Sequence, residues 1–259
     1  MKKRVILATL ALAVAVCVSA NVSMGSKSSV KSGDQPKVEE KRALKGFECI
    51  RQMGSVDVKY KQGSTFSVTV RAPKSIIKKV ETRVEGNVLV VGMKNSSKLF
   101  SFGSTSGDDV TVFVTSPDLI GVELKGSGDF ECKTRIDTDN LKVSVTGSGD
   151  MEFYDIICDR IDISVLGSGD MEVKKVEARQ SSISLVGSGD VKVSQQRVNH
   201  TRIELMGSGD VKVHSTNCGT VESRLQGSGD ITLSGDIASH KSTKKGSGDF
   251  HTSQLTLRK

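Results

Sequence analysis

The sequence predicts an all-β protein, a parallel β-helix (β-solenoid) with coils of about 20 residues, and three observations predict the coils. The tetrapeptide GSGD occurs seven times, beginning at Gly126, Gly147, Gly167, Gly187, Gly207, Gly227 and Gly246, at intervals of 21, 20, 20, 20, 20 and 19 residues. Around each copy, short runs alternate apolar and polar residues, the period of a strand with one buried face. One such unit cannot bury its own apolar face, whereas stacked units can.

The first twenty residues are expected to lie outside this fold. "MKKR" is a basic n-region, "VILATLALAVAVCV" an apolar run, and Val18-Ser19-Ala20 supplies the small residues of a signal-peptidase site. Cleavage after Ala20 makes this an exported protein of the periplasm or outer cell surface. No other stretch is apolar for eighteen residues, so no further helix is expected to span a membrane. Residues 21–45 are rich in Ser, Lys and Gly without apolar periodicity, and read as a flexible tether.

From Phe47 the chain turns to alternation: "SVDVKY", "TFSVTV", "NVLVVG" and "DVTVFV" are strand runs divided by Gly, Ser, Asn or Pro. Only "SIIKKVETRVEG" is open to two readings, a short helix or another strand. Residues 46–105 are expected to form an irregular N-terminal part, and 106–259 the GSGD coils.

The repeats are read by phase, with the first Gly of each GSGD as zero. Position +4 holds Phe130, Met151, Met171, Val191, Val211, Ile231 and Phe250; position +6 holds Cys132, Phe153, Val173, Val193, Val213, Leu233 and Thr252. A second apolar run falls at +14, +16 and +18, as in Ile161, Ile163 and Val165. Near +11 stand Cys158, Ala178, Val198, Cys218, Ala238 and Leu257. Upstream, "SGDDVTV" reads as a degenerate coil, with Asp109 twenty residues before Asp129 and Val110 and Val112 at +4 and +6. In the last unit Lys241, Thr243 and Lys245 stand at +14, +16 and +18, a charged cap against further strand addition.

The inward positions are all even-phased. Continued through the tetrapeptide, that parity turns both glycines inward: Gly126 and Gly128, Gly147 and Gly149, Gly167 and Gly169, Gly187 and Gly189, Gly207 and Gly209, Gly227 and Gly229, Gly246 and Gly248. A sharp bend that keeps its inside face crowds the backbone, and only Gly fits there. Ser at +1 and Asp at +3 then face outward.

The Asp column is the sharpest chemical feature: Asp129, Asp150, Asp170, Asp190, Asp210, Asp230 and Asp249. Stacked carboxylates about 5 Å apart repel by roughly 1 kcal/mol in water. Either a ladder of cations or hydrogen bonds from turn amides and Ser hydroxyls must offset this. Calcium wants six to eight oxygens, and each unit offers few, so hydrogen bonding is the favoured reading. No cofactor is expected. Seven equal sites are not the single asymmetric site of an enzyme. The four histidines His200, His214, His240 and His251 do not converge, and no hydrolase, zinc-protease or nucleotide-loop motif is present. Stacked Lys192 and Lys212 read as a solvated charge column.

Net charge is +7, of which the signal carries +3 and residues 21–125 carry +6, leaving the repeats at −2. The chain has no Trp, two Tyr and eight Phe, and its repeats have neither the basic groove nor the stacking aromatics of a nucleic-acid binder. Four cysteines remain beyond the signal, and none forms a C-x-x-C pair. Cys158 and Cys218 share a phase three coils apart, about 14 Å, too far for a disulfide.

The opening "FECIRQMGSVDVKYKQGSTFSVTVRAP" and the tandem "I-x-I-x-V-x-GSGD-V-x-V" units resemble the autotransporter-adhesin head GIN domain family of Bacteroidetes over about residues 46–259. The resemblance implies the right-handed β-helix in an exported protein and little chemistry. The expected function is therefore a non-enzymatic, adhesin-like module of the cell envelope. Its partner would be an envelope or extracellular protein or glycan. The rival classes are a carbohydrate-binding module, which needs an aromatic platform, and a β-helical polysaccharide-processing enzyme.

Overall fold

The structure, a computed structural model, describes residues 36–94 and 110–258. The signal reading, most of the tether and Asp109 lie outside the described residues. The strands are β1 (Lys37–Arg42), β2 (Cys49–Gly54), β3 (Asp57–Gln62), β4 (Ser67–Pro73), β5 (Val80–Glu85), β6 (Val88–Met93), β7 (Thr111–Ser116), β8 (Gly121–Gly126) and β9 (Phe130–Asp137). They continue as β10 (Asn140–Gly147), β11 (Met151–Ile157), β12 (Arg160–Gly167), β13 (Met171–Glu177), β14 (Gln180–Gly187), β15 (Val191–Gln196) and β16 (His200–Gly207). The last are β17 (Val211–Gly227), β18 (Ile231–Gly246) and β19 (Phe250–Leu257). "SIIKKVETRVEG" holds both of its readings in succession, a 3-10 turn at Ile77–Lys79 followed by β5.

Two walls of parallel strands face each other. The first stacks β6, β2, β8, β10, β12, β14, β16 and the second halves of β17 and β18. The second stacks β7, β3, β9, β11, β13, β15, the first halves of β17 and β18, and β19. Each GSGD turns the chain from the first wall to the second. Columns run in register, as in Val143, Ile163, Ile183 and Ile203, or Met151, Met171, Val191, Val211 and Ile231. All of these are buried, so β-branched and long apolar side chains fill a continuous core between the walls.

Four details differ from the reading of the sequence. Residues 37–42 are a strand, not tether: β1 pairs antiparallel with β4, which pairs antiparallel with β7. Main-chain bonds to an open sheet edge hold a segment whose side chains bury little. Residues 49–62 are a regular coil, not an irregular part. It lies out of sequence order, with β2 between β6 and β8 and β3 between β7 and β9. The upstream coil is thus one level lower than expected, and shifted by two: Val112, not Val110, shares the column of Val58 and Phe130.

At the other end, the nineteen-residue unit is shortened before its second strand. Ile237, not Ala238, stacks on Cys218, and the inward column over Val221, Ser223 and Leu225 is His240, Ser242 and Lys244. The polar cap therefore consists of those three, with Lys241, Thr243 and Lys245 on the outside. His240 accepts or donates a 2.7 Å hydrogen bond with Ser223 and meets Phe250 edge-on.

Cys132, Cys158 and Cys218 are buried, Cys49 is half-buried, and all four are free thiols. Burial pushes the Cys158 thiol up to about 12. Alkylation of the native chain should label Cys49 first and the other three only after unfolding. Non-reducing mass mapping should find no Cys158–Cys218 link. Native labelling of Cys158 as fast as Cys49 would contradict this burial.

Candidate functional site

The repeated corner is built from main-chain bonds along the stack. In five of the copies the carbonyl of the first glycine accepts two N–H groups from the coil above, those of Ser at +1 and Gly at +2. Gly147 O, for example, receives Ser168 at 2.9 Å and Gly169 at 3.1 Å. The same pattern joins Gly126, Gly167, Gly187 and Gly207 to their successors. The first glycines hold positive φ, +128° to +138° from Gly126 to Gly246, a conformation that side chains resist. The second glycines Gly128, Gly149, Gly169, Gly189, Gly209, Gly229 and Gly248 are buried, and the first are half-buried except the exposed Gly246.

The crowding runs along the stack rather than across the walls. A Cβ on Gly149, Gly169, Gly189, Gly209, Gly229 or Gly248 would lie 1.9–2.2 Å from the carbonyl oxygen of the second glycine below. Glycine is required because each backbone rests directly on the next.

Outward from this corner the seven aspartates form one column. The main-chain N–H of Asp150, Asp170, Asp190, Asp210, Asp230 and Asp249 donates to Oδ1 of the Asp one coil below, at 3.3, 2.9, 2.8, 3.1, 3.2 and 2.8 Å. Asp129 donates in the same way to Asp57 at 3.0 Å. Asp57 was missed by the sequence reading, although Gly54-Ser55-Val56-Asp57 is a GSGD with one substitution. Each carboxylate below Asp249 thus satisfies a turn amide that no strand would satisfy, the second of the two offsets expected for stacked charge.

At its C-terminal end the column meets Lys244 and His251. Lys244 Nζ lies 2.9 Å from Asp249 Oδ1, and His251 Nε2 lies 3.0 Å from Asp230 Oδ2. The Asp249 N–H, and then His251, hold the Asp230 carboxyl below the usual Asp value. Midway, burial and the neighbours Asp170 and Asp129 push Asp150 up, against the pull of the Asp170 N–H.

The two shifts predict opposite pH behaviour. Asp230, with a lowered folded value, contributes stability above the ordinary Asp pKa of about 3.9 and loses it as pH falls through the folded value. Asp150, with a raised value, keeps its proton to higher pH when folded, so acid favours folding through that window. Asp230→Asn should lower the melting temperature at neutral pH more than Asp150→Asn does. Equal shifts in a pH series of thermal melts would contradict the assignment.

A groove of about 530 Å3 runs beside the column from Asp57 to Asp190, with Lys59, Glu131, Glu152, Glu172 and Lys192 on its far side. Two of its glutamates are paired: Lys59 and Lys133 reach Glu131, and Lys174 reaches Glu152. Among the described residues no three His, Cys, Asp or Glu side chains are grouped to hold a metal ion. Addition of calcium or a chelator should leave the melting temperature nearly unchanged; a large calcium-dependent rise would show a cation ladder instead. His214 bonds Ser234 at 3.0 Å, Lys192 and Lys212 stack as expected, and His200 lies on the other wall.

The family model described as "Putative auto-transporter adhesin, head GIN domain" matches residues 46–217 and 181–259. Among solved structures, a "putative adhesin" from Bacteroides fragilis NCTC 9343 is 22% identical with a TM-score of 0.73, covering 84% of this chain and 97% of that one. A "putative adhesin" from Parabacteroides distasonis ATCC 8503 is 19% identical with a TM-score of 0.70, covering 85% and 98%. A "putative lipid binding protein" from the same organism is 20% identical with a TM-score of 0.61, covering 88% and 98%. At these identities the likeness is one of fold. Comparison with curated proteins gave no match.

Proposed function

Since the chain belongs to the auto-transporter adhesin head GIN domain family, we infer that it serves as a non-catalytic adhesion module of an exported envelope protein. Residues 1–20 would direct export, the residues before β1 would tether the module, and the solenoid from residue 46 would present its outer faces to a protein or glycan of the envelope or its surroundings. The observation that supports this reading is the ladder itself. Its carboxylates bond successive turn amides in seven near-equivalent steps, so the most regular polar feature of the molecule serves to hold the stack. That leaves a stack of coils with repeating outer columns, suited to contact along the stack. Among the described residues no helix is long and apolar enough to cross a membrane.

The test is binding of the purified chain to glycan arrays and to immobilised extracellular proteins, with protease treatment of intact cells. Saturable binding to one class, without turnover, and cleavage on intact cells are expected. Release of new glycan ends would make the protein an enzyme, and protection until the outer membrane is opened would place it in the periplasm.

A further inference from the structure

The outer face of the first wall carries a column whose charges mirror one another. In register along the stack stand Lys142, Asp162, Ser182, Arg202 and Glu222. Read upward the signs are plus, minus, neutral, plus, minus. Read downward with every sign reversed, the order is the same. Such a column is complementary to an inverted copy of itself.

Four residues further along the same strands runs a second column: Thr146, Leu166, Val186, Met206 and Gln226. Its three central members are large apolar side chains left 51%, 37% and 46% exposed. They lie side by side on consecutive coils, in a sequence where a quarter of residues are charged. Between the two columns stand Ser144, Ser164, Ser184, Glu204 and Arg224. A shallow depression of about 220 Å3, lined by Arg160, Asp162, Gln180, Ser182, His200 and Arg202, is centred on the row of β14.

We propose that this face is where two copies of the chain meet, about a two-fold axis that lies in the interface along β14. That axis keeps each residue at its place along the strand and inverts the order of the coils. Asp162 then faces the second copy's Arg202, and Lys142 its Glu222. Leu166 faces Met206, while Val186 and Ser182 each face themselves. Every contact off the axis occurs twice, as an isologous interface requires. Other inversion centres fail: about the row of β12, Lys142 meets Ser182, and Asp162 meets its own copy. The existing pairs Arg160–Asp162 at 2.9 Å and Arg202–Glu222 at 3.5 Å are exposed, and can be shared with the facing chain.

Five coils at about 4.8 Å and eight residues at about 3.4 Å each define a patch of roughly 600 Å2 per copy, about 1,200 Å2 in all. That is the low end for a specific interface, so the pair should be reversible and weakened by salt.

Sedimentation equilibrium of the purified chain from about 1 to 100 µM, a range suited to weak association, tests this. A monomer–dimer equilibrium is expected. Val186→Lys places two like charges on the axis and should weaken it by at least about tenfold. Asp162→Arg and Arg202→Asp should each weaken it about tenfold, and the two together should restore it to within about threefold. Unchanged far-ultraviolet circular dichroism and melting temperature establish that each variant is folded. A chain monomeric throughout the range, a dimer indifferent to Val186→Lys, or a double variant no better than the singles would each overturn the proposal.

Discussion

Gly189→Val should destabilise the protein by roughly 3–5 kcal/mol, far more than Ser188→Ala, its neighbour in the same corner. An added Cβ at Gly189 would lie 2.0 Å from the carbonyl oxygen of Gly169. That oxygen belongs to backbone pinned on both sides by the stack, so it has little room to give. Because the conflict arises at the first side-chain carbon, Gly189→Ala should carry most of the same loss. Crowding between opposite walls would predict otherwise, since alanine is small enough to fit a partly open interior. Ser188 is exposed, and its removal should cost about 1 kcal/mol or less. Urea melts of the three variants decide the matter. Equal stability of Gly189→Ala and Ser188→Ala would show that the coils do not rest on one another as described.

Phe130→Ala should cost about 3–5 kcal/mol, the range for emptying a buried aromatic site. Phe130 is buried, with ring centroids 6.4 Å from Tyr60 and 5.3 Å from Phe153. It is the middle of an aromatic cluster, reaching diagonally between columns, that joins the out-of-order coil to the regular array. The cavity should therefore loosen β3 in particular. Hydrogen exchange should show lost protection at Val58 and Tyr60 before any change at β14 or β16. A loss below about 1 kcal/mol, or uniform loss of protection along the whole stack, would count against that coupling.

Much of the array can be read from residue types alone. A fixed spacing of GSGD with alternating apolar positions leaves one arrangement that buries every apolar face, and the columns of Met151 or Ile163 follow from counting. Counting fails where a unit changes length, because spacing does not say where the missing residue was lost. In the last unit it was lost before Ile237, beside Gly235 at φ +89°, which moves the cap to His240, Ser242 and Lys244. It fails again at the base. Asp57 precedes Asp129 by 72 residues, no multiple of the repeat, so its place beneath the ladder depends on a long-range pairing that no local pattern encodes. The mirrored charge column, by contrast, follows from counting alone, its members standing 20 residues apart on successive coils.

The out-of-order coil also sets an order of events. A chain delivered N-terminus first, from a ribosome or through a membrane, releases residues 49–62 before either of their neighbours exists. Arg51 waits for Glu123, its partner at 2.6 Å, until 72 more residues have appeared. The GSGD units above need only the unit just before them, so their pairings are local and quick to form. The base instead closes a long loop, which is slow. The array should thus zip from its middle toward the C-terminus while its own foundation is still open. The segment left longest without its partners during synthesis is the coil of β2 and β3, whose places are filled on both sides only once β8 and β9 have appeared.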